Sequence, residues 1–324
     1  MLRRRSTLKL LAAAVPAAIA PAWAQPRYPT GPIRIVIPTP PGGGLDTMAR
    51  LFGTHLGATF GQPVVVESRP GGNTAIAAQA VASAPPDGQT LLLTFTSTQL
   101  NTIIQPKPTY RMADLAPIAM TIASPIAFAV NAQVPATTLR EFVALVKSKP
   151  RTYSYGSYGA DSVANFMGEA LNEKHGLDLL HVAYRGGAPA LLDLIAGQIQ
   201  SAFNDVGSLS REAAATGRIR VLGVTGAQRF KPFPDVPTFR EQGMPELDFP
   251  AWHGLFAPAG TPAATVAALE REMVRIIHLP EISARLYELG FEPMGVNAAK
   301  FQQYIQQSAQ PIEALFRSGR IKLE

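Results

Sequence analysis

Three observations predict an α/β fold built as two lobes around a ligand cleft. The chain has 324 residues, about two domains' worth at roughly 100–200 residues each. Its 47% apolar and 16% charged residues are enough to fill two buried cores. Short apolar runs alternate with amphipathic segments, the pattern of α/β sheets. A motif, Gly44-Leu-Asp-Thr-Met-Ala-Arg50, also returns 115 residues later as Gly159-Ala-Asp-Ser-Val-Ala-Asn165. Each copy follows a strand-like run and opens a helix, the place where open α/β sheets bind ligands.

From the amino end, residues 1–24 begin with Arg3, Arg4 and Arg5. They continue through an apolar run at 8–20 and close on Ala22-Trp23-Ala24. That is an export signal with a small-residue cleavage site; the run, broken by Pro16, is too short to span a bilayer. The mature protein is therefore expected in the periplasm. Strands are predicted at 33–37, 64–66, 91–93, 126–130, 181–184 and 221–224, in mostly parallel sheets. Helix starts are marked by Thr138 with Glu141, by Thr238 with Glu241, and by Thr261 before Pro262. Stretches 117–125 and 249–258 read as passages between lobes. They divide the chain into a discontinuous first lobe, 26–124 plus 250–324, and an inserted second lobe, 125–249. Helices at 262–277, 281–289 and 298–316 are expected to pack back on the first lobe.

Composition narrows the chemistry. The net charge of +6 is carried mainly by the export segment, which holds Arg3, Arg4, Arg5 and Lys9 and no acid. Without it, 25 basic residues face 23 acidic ones. So balanced a chain has no electrostatic footprint for nucleic acid. The absence of cysteine removes disulfides, thiolate nucleophiles, cysteine zinc sites and iron–sulfur clusters. His55, His175, His181, His253 and His278 lack metal-ligand spacing, so no metal is expected. The loop Pro40-Pro41-Gly42-Gly43-Gly44 is not followed by Gly-Lys-Ser/Thr, and Thr47 replaces the third glycine of a dinucleotide fingerprint. No cofactor is expected. In Gly156-Ser157-Tyr158-Gly159 the serine lies one position too near the first glycine for a nucleophile elbow. An exported hydrolase of small esters or amides, using Ser157 or Asp46 with a histidine, is thus the second reading, and a binding protein the first.

The glycine loop lets backbone approach a ligand, and the helix behind it offers unpaired amides to an anion. The plainer alternative is a convenient strand–helix turn. Asp46 and Asp161 each open a helix and read as caps ahead of catalytic acids. The turn Arg69-Pro-Gly-Gly-Asn73 lies at the same rim. Tyr153, Tyr155 and Tyr158 read as packing or cleft lining, and Trp252 and His253 as either hinge packing or ligand contacts.

Several ordered stretches carry a family resemblance. They are Pro38-Thr-Pro-Pro-Gly-Gly-Gly-Leu-Asp46, Gly61-Gln-Pro-Val-Val-Val-Glu-Ser-Arg-Pro-Gly-Gly72, His181-Val-Ala-Tyr-Arg-Gly-Gly-Ala-Pro-Ala190 and Trp252-His-Gly-Leu-Phe-Ala-Pro-Ala-Gly-Thr-Pro262. Together with Asp235-Val-Pro-Thr-Phe-Arg-Glu-Gln-Gly243 they resemble the Bug-type solute receptors of tripartite tricarboxylate transporters, over nearly the whole mature chain. The resemblance implies a type II-like, Venus-flytrap periplasmic binding protein. Such a protein captures a small organic anion (a mono-, di- or tricarboxylate, aromatic or amino-acid-like bodies included) and delivers it to membrane permease subunits, or in a sensory variant to a signalling partner. It also implies that the loop Thr39, Gly42, Gly43, Gly44, Leu45, Asp46 and Thr47 meets a ligand carboxylate. Ser97, Ser157, Gly159, Asp161, Ser162 and Asp205 then line the cleft. Asp161 stands where that family commonly has glycine; it either caps its helix or turns to the cleft and favours a ligand amine.

Overall fold

The computed structural model describes residues 28–249, 251–317 and 319; the export segment read at 1–24 lies outside them. The chain first lays down β1 (Ile33–Ile37), α1 (Gly44–Phe60), β2 (Val64–Ser68), α2 (Ala75–Ala82), β3 (Thr90–Phe95), α3 (Ser97–Ile104) and β4 (Leu115–Ala123). After Ser124 and Pro125 it builds β5 (Ile126–Asn131), α4 (Leu139–Ser148), β6 (Ser154–Ser157), α5 (Val163–His175) and β7 (Leu180–Ala183). The same run continues with α6 (Gly187–Ala196), β8 (Ser201–Asp205), α7 (Val206–Thr216) and β9 (Ile219–Val224). It returns through β10 (Trp252–Pro258), α8 (Ala263–Ile277), α9 (Pro280–Glu288), β11 (Glu292–Asn297) and α10 (Ala298–Arg317).

Two sheets result. One has the order β11-β4-β10-β3-β1-β2, the other β7-β6-β8-β5-β9. Continuous apolar runs explain their centres: Leu91, Leu92 and Leu93 of β3 are at most 1% exposed, as expected for a strand covered on both faces. The sheets are mixed, not mostly parallel. β1 pairs in parallel with β2 and β3, but β10 runs antiparallel to both β3 and β4, and β5 antiparallel to both β8 and β9. The antiparallel strands are those that carry the chain between lobes, where no crossover helix turns them round. The stretches read as passages are thus largely β4 and β10 themselves, and the chain crosses at Ser124–Pro125 and again between β9 and β10.

Helix starts differ in outcome. At α4 the Thr138 hydroxyl accepts from the Glu141 amide at 3.2 Å, and the Glu141 carboxylate accepts from the Thr138 amide at 3.3 Å. The same reciprocal bonds join Thr238 and Glu241, yet only turns follow. Gly243, at φ +75°, ends that segment before a helix can propagate. Thr261 does not cap α8; its hydroxyl donates to the Pro258 carbonyl, and Pro262 is itself the residue preceding the helix.

The carboxyl-terminal helices do more than pack on the first sheet. Phe301 and Ile305 of α10 join the core with Trp252 and Phe256, whereas Ile312 and Leu315 join the core of the second sheet. A single helix therefore spans both lobes. Gly254 makes room for it, because a Cβ there would overlap the Phe301 ring.

Candidate functional site

A cavity of about 230 Å³ opens between the sheets beside the crossing strands. Strand β3 ends there at Phe95 and passes through Thr96 into Ser97 of α3, and β10 begins there with Trp252 and His253. Ser124 and Ala251 form the crossing, while Ile126, Tyr158, Val163, Asn204 and Asp205 come from the second lobe. Backbone bonds hold this junction in register. The Thr96 amide donates to the Trp252 carbonyl at 3.0 Å, the Trp252 amide to the Thr96 hydroxyl at 2.8 Å, and the Ser124 amide to the Ala251 carbonyl at 2.7 Å.

Three helices start at this cavity. Ser97 is the first residue of α3, Val163 the first of α5, and Asp205 the residue preceding α7. In α3 the amides of Gln99 and Leu100 both turn to the Thr96 carbonyl, while helix geometry leaves those of Ser97 and Thr98 without intrahelical partners. The pitch of α3 is fixed from behind by a buried hydroxyl chain. Thr94 and Thr98 lie 2.5 Å apart, Thr98 donates to Thr74 at 3.0 Å, and Tyr110 donates to the Thr98 carbonyl at 2.5 Å. In the second lobe Asp205 Oδ1 accepts from the Ser208 amide at 2.7 Å, and Asn204 donates to the Gly187 carbonyl at 2.9 Å. Burial raises the pKa of Tyr158 above the ordinary phenol value.

Of the candidate residues, Ser97 and Asp205 lie in the cavity wall. The glycine loop does not. Gly42 needs glycine, at φ +86°, but Gly43 has an ordinary extended backbone at φ −80°. A side chain at Gly44 would meet the Phe291 ring at 3.5 Å. Leu45 is buried in the core beneath α1, and the Thr47 hydroxyl donates to the Gly43 carbonyl at 3.1 Å. The Thr39 carbonyl accepts from Ser68 at 2.5 Å, and the Thr39 hydroxyl is buried with no partner among the described residues. Asp46 closes the loop: Oδ2 accepts from the Gly42 amide at 3.0 Å and from Arg50 Nε at 3.1 Å. The Arg50 bond first, and the Gly42 amide second, hold its carboxyl below the ordinary value. Asp46 thus ties the loop from within the helix's first turn.

The second loop is knitted in the same way. Ser162, not Asp161, caps α5 by accepting from the Asn165 amide at 3.3 Å, and its hydroxyl donates to the Gly159 carbonyl at 2.6 Å. Ser157 is fully buried, with its Oγ 2.7 Å from His181 Nε2 and 2.9 Å from the Gly159 carbonyl. Asp161 faces a separate pocket of about 340 Å³ shared with Asn73, Asn101 and Lys107 of the first lobe. Sequence reading missed Asn204 and Phe291. Asn204 had a weak signal, a second polar residue beside Asp205 at a strand end; Phe291 had none, because only the fold brings it to Gly44.

His253, read as either hinge packing or a ligand contact, packs at the junction of the lobes and has one face on the cavity. It stands between the rings of Phe95 (5.6 Å) and Phe291 (5.5 Å). Burial pushes its pKa down from 6.5 to about 4. A histidine that protonates less readily folded than unfolded has its full stabilising effect above pH 6.5, and loses it as pH falls toward 4. The loss is on the order of 3 kcal/mol when complete, at 1.36 kcal/mol per unit. Chemical denaturation at pH 7 and pH 4.5 measures it. His253→Phe should lose less stability than the wild type over that interval; an equal loss in both would assign it to other groups.

Two α/β lobes joined by crossing strands, with helix N-termini gathered on a cavity at the crossing, define a solute-binding receptor of the periplasmic binding protein type. The chain belongs to the family described as tripartite tricarboxylate transporter family receptor, which it matches over residues 48–320. It is 38% identical to a UPF0065 protein of Bordetella bronchiseptica, over 97% of this chain and 88% of that one. Among solved structures it is similar to MatC (Rpa3494) from Rhodopseudomonas palustris with bound malate, at 30% identity and TM-score 0.73, covering 89% of this chain and 99% of that one. It is also similar to R. palustris Rpa4515 with adipate, at 28% identity and TM-score 0.76, covering 90% of this chain and 97% of that one.

Proposed function

We propose that this protein is a periplasmic receptor that captures a small organic carboxylate between its lobes and delivers it to a membrane permease of the tripartite tricarboxylate type. The observation that carries this reading is the cavity between the sheets at which α3, α5 and α7 all begin. Each helix N-terminus favours an anion by about 0.3–1 kcal/mol when exposed, and up to about 2 kcal/mol when partly buried. Hydrogen bonds to a charged carboxylate add roughly 1.5–3 kcal/mol each. The malate- and adipate-bound relatives support the ligand class, and the family description supports the permease.

In this reading the lobes are 26–124 with 250–324, and 125–249, because strands β1–β4, β10 and β11 share one sheet and β5–β9 the other. Ser97 and Asp205 contact the ligand directly. The loop Thr39–Thr47 and the turn Ser157–Ser162 hold the rim from which the lobes close. Catalysis is not part of the proposal: Ser157 is buried and off the cavity wall, and Asp46 is tied up by Gly42 and Arg50.

A thermal-shift survey of small carboxylates, with native mass spectrometry of the protein as purified, makes the test. A ligand at a hundredfold excess over its dissociation constant stabilises the folded state by about 2.7 kcal/mol, so a clear rise in melting temperature is expected. A co-purified mass lacking a carboxylate, or turnover of an added ester, would sink the reading.

A further inference from the structure

We propose that Trp252 is a specificity-determining contact: its indole N–H donates to a hydroxyl or keto oxygen on the ligand carbon beside the carboxylate or on the next one. The proposal rests on the receptor reading above and narrows its ligand to hydroxy and oxo acids over their plain parents.

The first ground is a pair of orphaned nitrogens. Trp252 and His253 both line the cavity, and Trp252 Nε1 and His253 Nδ1 are each buried with no hydrogen-bond partner among the described residues. Buried polar side-chain atoms nearly always have a partner. Two exceptions on successive residues of one cavity wall point to a partner that the chain does not supply. Neither ring is free to seek one elsewhere. Trp252 is fully buried, with Phe301 at 5.2 Å and Phe256 at 5.8 Å, and His253 is held between Phe95 and Phe291.

The second ground is chemistry and spacing. An indole N–H is a donor only, so its partner must present an acceptor. Burial keeps the neighbouring imidazole neutral, so this end of the wall carries no positive charge and suits a neutral oxygen. The Trp252 amide donates to the Thr96 hydroxyl at 2.8 Å, its carbonyl accepts from the Thr96 amide at 3.0 Å, and Ser97, the first residue of α3, follows directly. A carboxylate held at the start of α3 therefore sits one residue along from the backbone partner of Trp252. The oxygen that the indole takes must lie close to that carboxylate in the ligand. A hydroxyl also needs an acceptor for its own proton. Asp205 supplies one across the cavity: Oδ1 is taken by the Ser208 amide, which leaves Oδ2.

Trp252 can be observed directly. The chain has two tryptophans, Trp23 and Trp252, so the protein lacking residues 1–24 gives a single indole N–H signal in a 1H–15N spectrum. Malate, 2-oxoglutarate and mandelate are each compared with the plain parent, succinate, glutarate and phenylacetate, by titration calorimetry and by that spectrum. At least one oxygen-bearing acid should bind about fivefold to tenfold more tightly than its parent, the worth of a neutral hydrogen bond. It should also move the indole signal downfield, and further than its parent does. Trp252→Phe breaks no hydrogen bond of the indole within the empty protein, and it should erase that preference. An indole signal that stays in place with the acid bound, or a preference that survives in Trp252→Phe, would overturn the proposal, while carboxylate binding itself keeps the receptor reading. If no acid of the panel binds, the proposal fails; a co-purified ligand without a carboxylate would then sink the receptor reading with it.

Discussion

Ser97→Asp is expected to weaken carboxylate binding by at least a hundredfold while leaving the empty protein as stable as before, or slightly more so. The two effects separate because they draw on the same feature with opposite sign. Ser97 is the first residue of α3, and its amide and that of Thr98 point outward from the helix start. An aspartate in the first turn interacts favourably with that partial positive charge, by about 0.3–1 kcal/mol. The amides that satisfy it are those the ligand carboxylate needs, and the new charge repels the ligand besides. Losing two charge-assisted hydrogen bonds at roughly 1.5–3 kcal/mol each exceeds the roughly 2.7 kcal/mol that a hundredfold change represents. Ser97→Ala gives the graded control: one hydroxyl bond is removed and the amides stay, for a loss of roughly tenfold to a hundredfold. Calorimetry with the tightest carboxylate, beside denaturant melts of the empty variants, reads both effects. Wild-type affinity in Ser97→Asp would move the anion away from α3, and the glycine loop before α1 would be the next place to probe.

The architecture was legible wherever local pattern and tertiary role coincide. The apolar runs that became β3 and β5 are buried on both faces, and such strands announce themselves by composition alone. The stretch 117–125, which reads as a passage between lobes, is for the most part strand β4; Pro117 is its third residue and sits at a register shift opposite Phe256, where a missing amide is tolerated. The bonds between Thr238 and Glu241 form as the sequence implies, yet the nearby Gly243 prevents a helix, so a correct start signal did not yield the element.

The site divided in the same way. Ser97 and Asp205 sit at strand-to-helix junctions, a place the sequence marks, and both reach the cavity. The glycine loop carries the stronger motif but lies behind Phe291, and that arrangement depends on where the α9–β11 connection falls against α1. Nothing near Gly44 in sequence encodes a contact with a residue almost 250 positions later. The repeated motif marks two similar loops, each closed by its own side chains, Asp46 in one and Ser162 in the other. Whether such a loop also faces a ligand is decided by its tertiary neighbours.

Trp252→Ala is expected to be among the most destabilising single changes in the protein, costing about 3–5 kcal/mol, as large aromatic-to-alanine changes in cores do. Trp252 is fully buried where the chain re-enters the first sheet. Its ring packs edge-on to Phe301 at 5.2 Å and tilted against Phe256 at 5.8 Å, so its removal opens a void between β10 and α10. The backbone around it ties the start of β10 to the end of β3 beside the cavity, since its amide and carbonyl both bond Thr96. The void therefore loosens the wall of the cavity as well as the core. Ligand binding should fall along with stability, by more than the melting shift alone explains. Trp252→Phe separates packing from polarity. The indole N–H has no acceptor among the described residues, so phenylalanine sacrifices no hydrogen bond and should cost much less than alanine. Urea denaturation of the three proteins, with and without the bound carboxylate, decides the matter. Equal losses in the two variants would mean that the indole nitrogen is engaged after all, and that the ring's packing against Phe301 and Phe256 is the lesser part of its role.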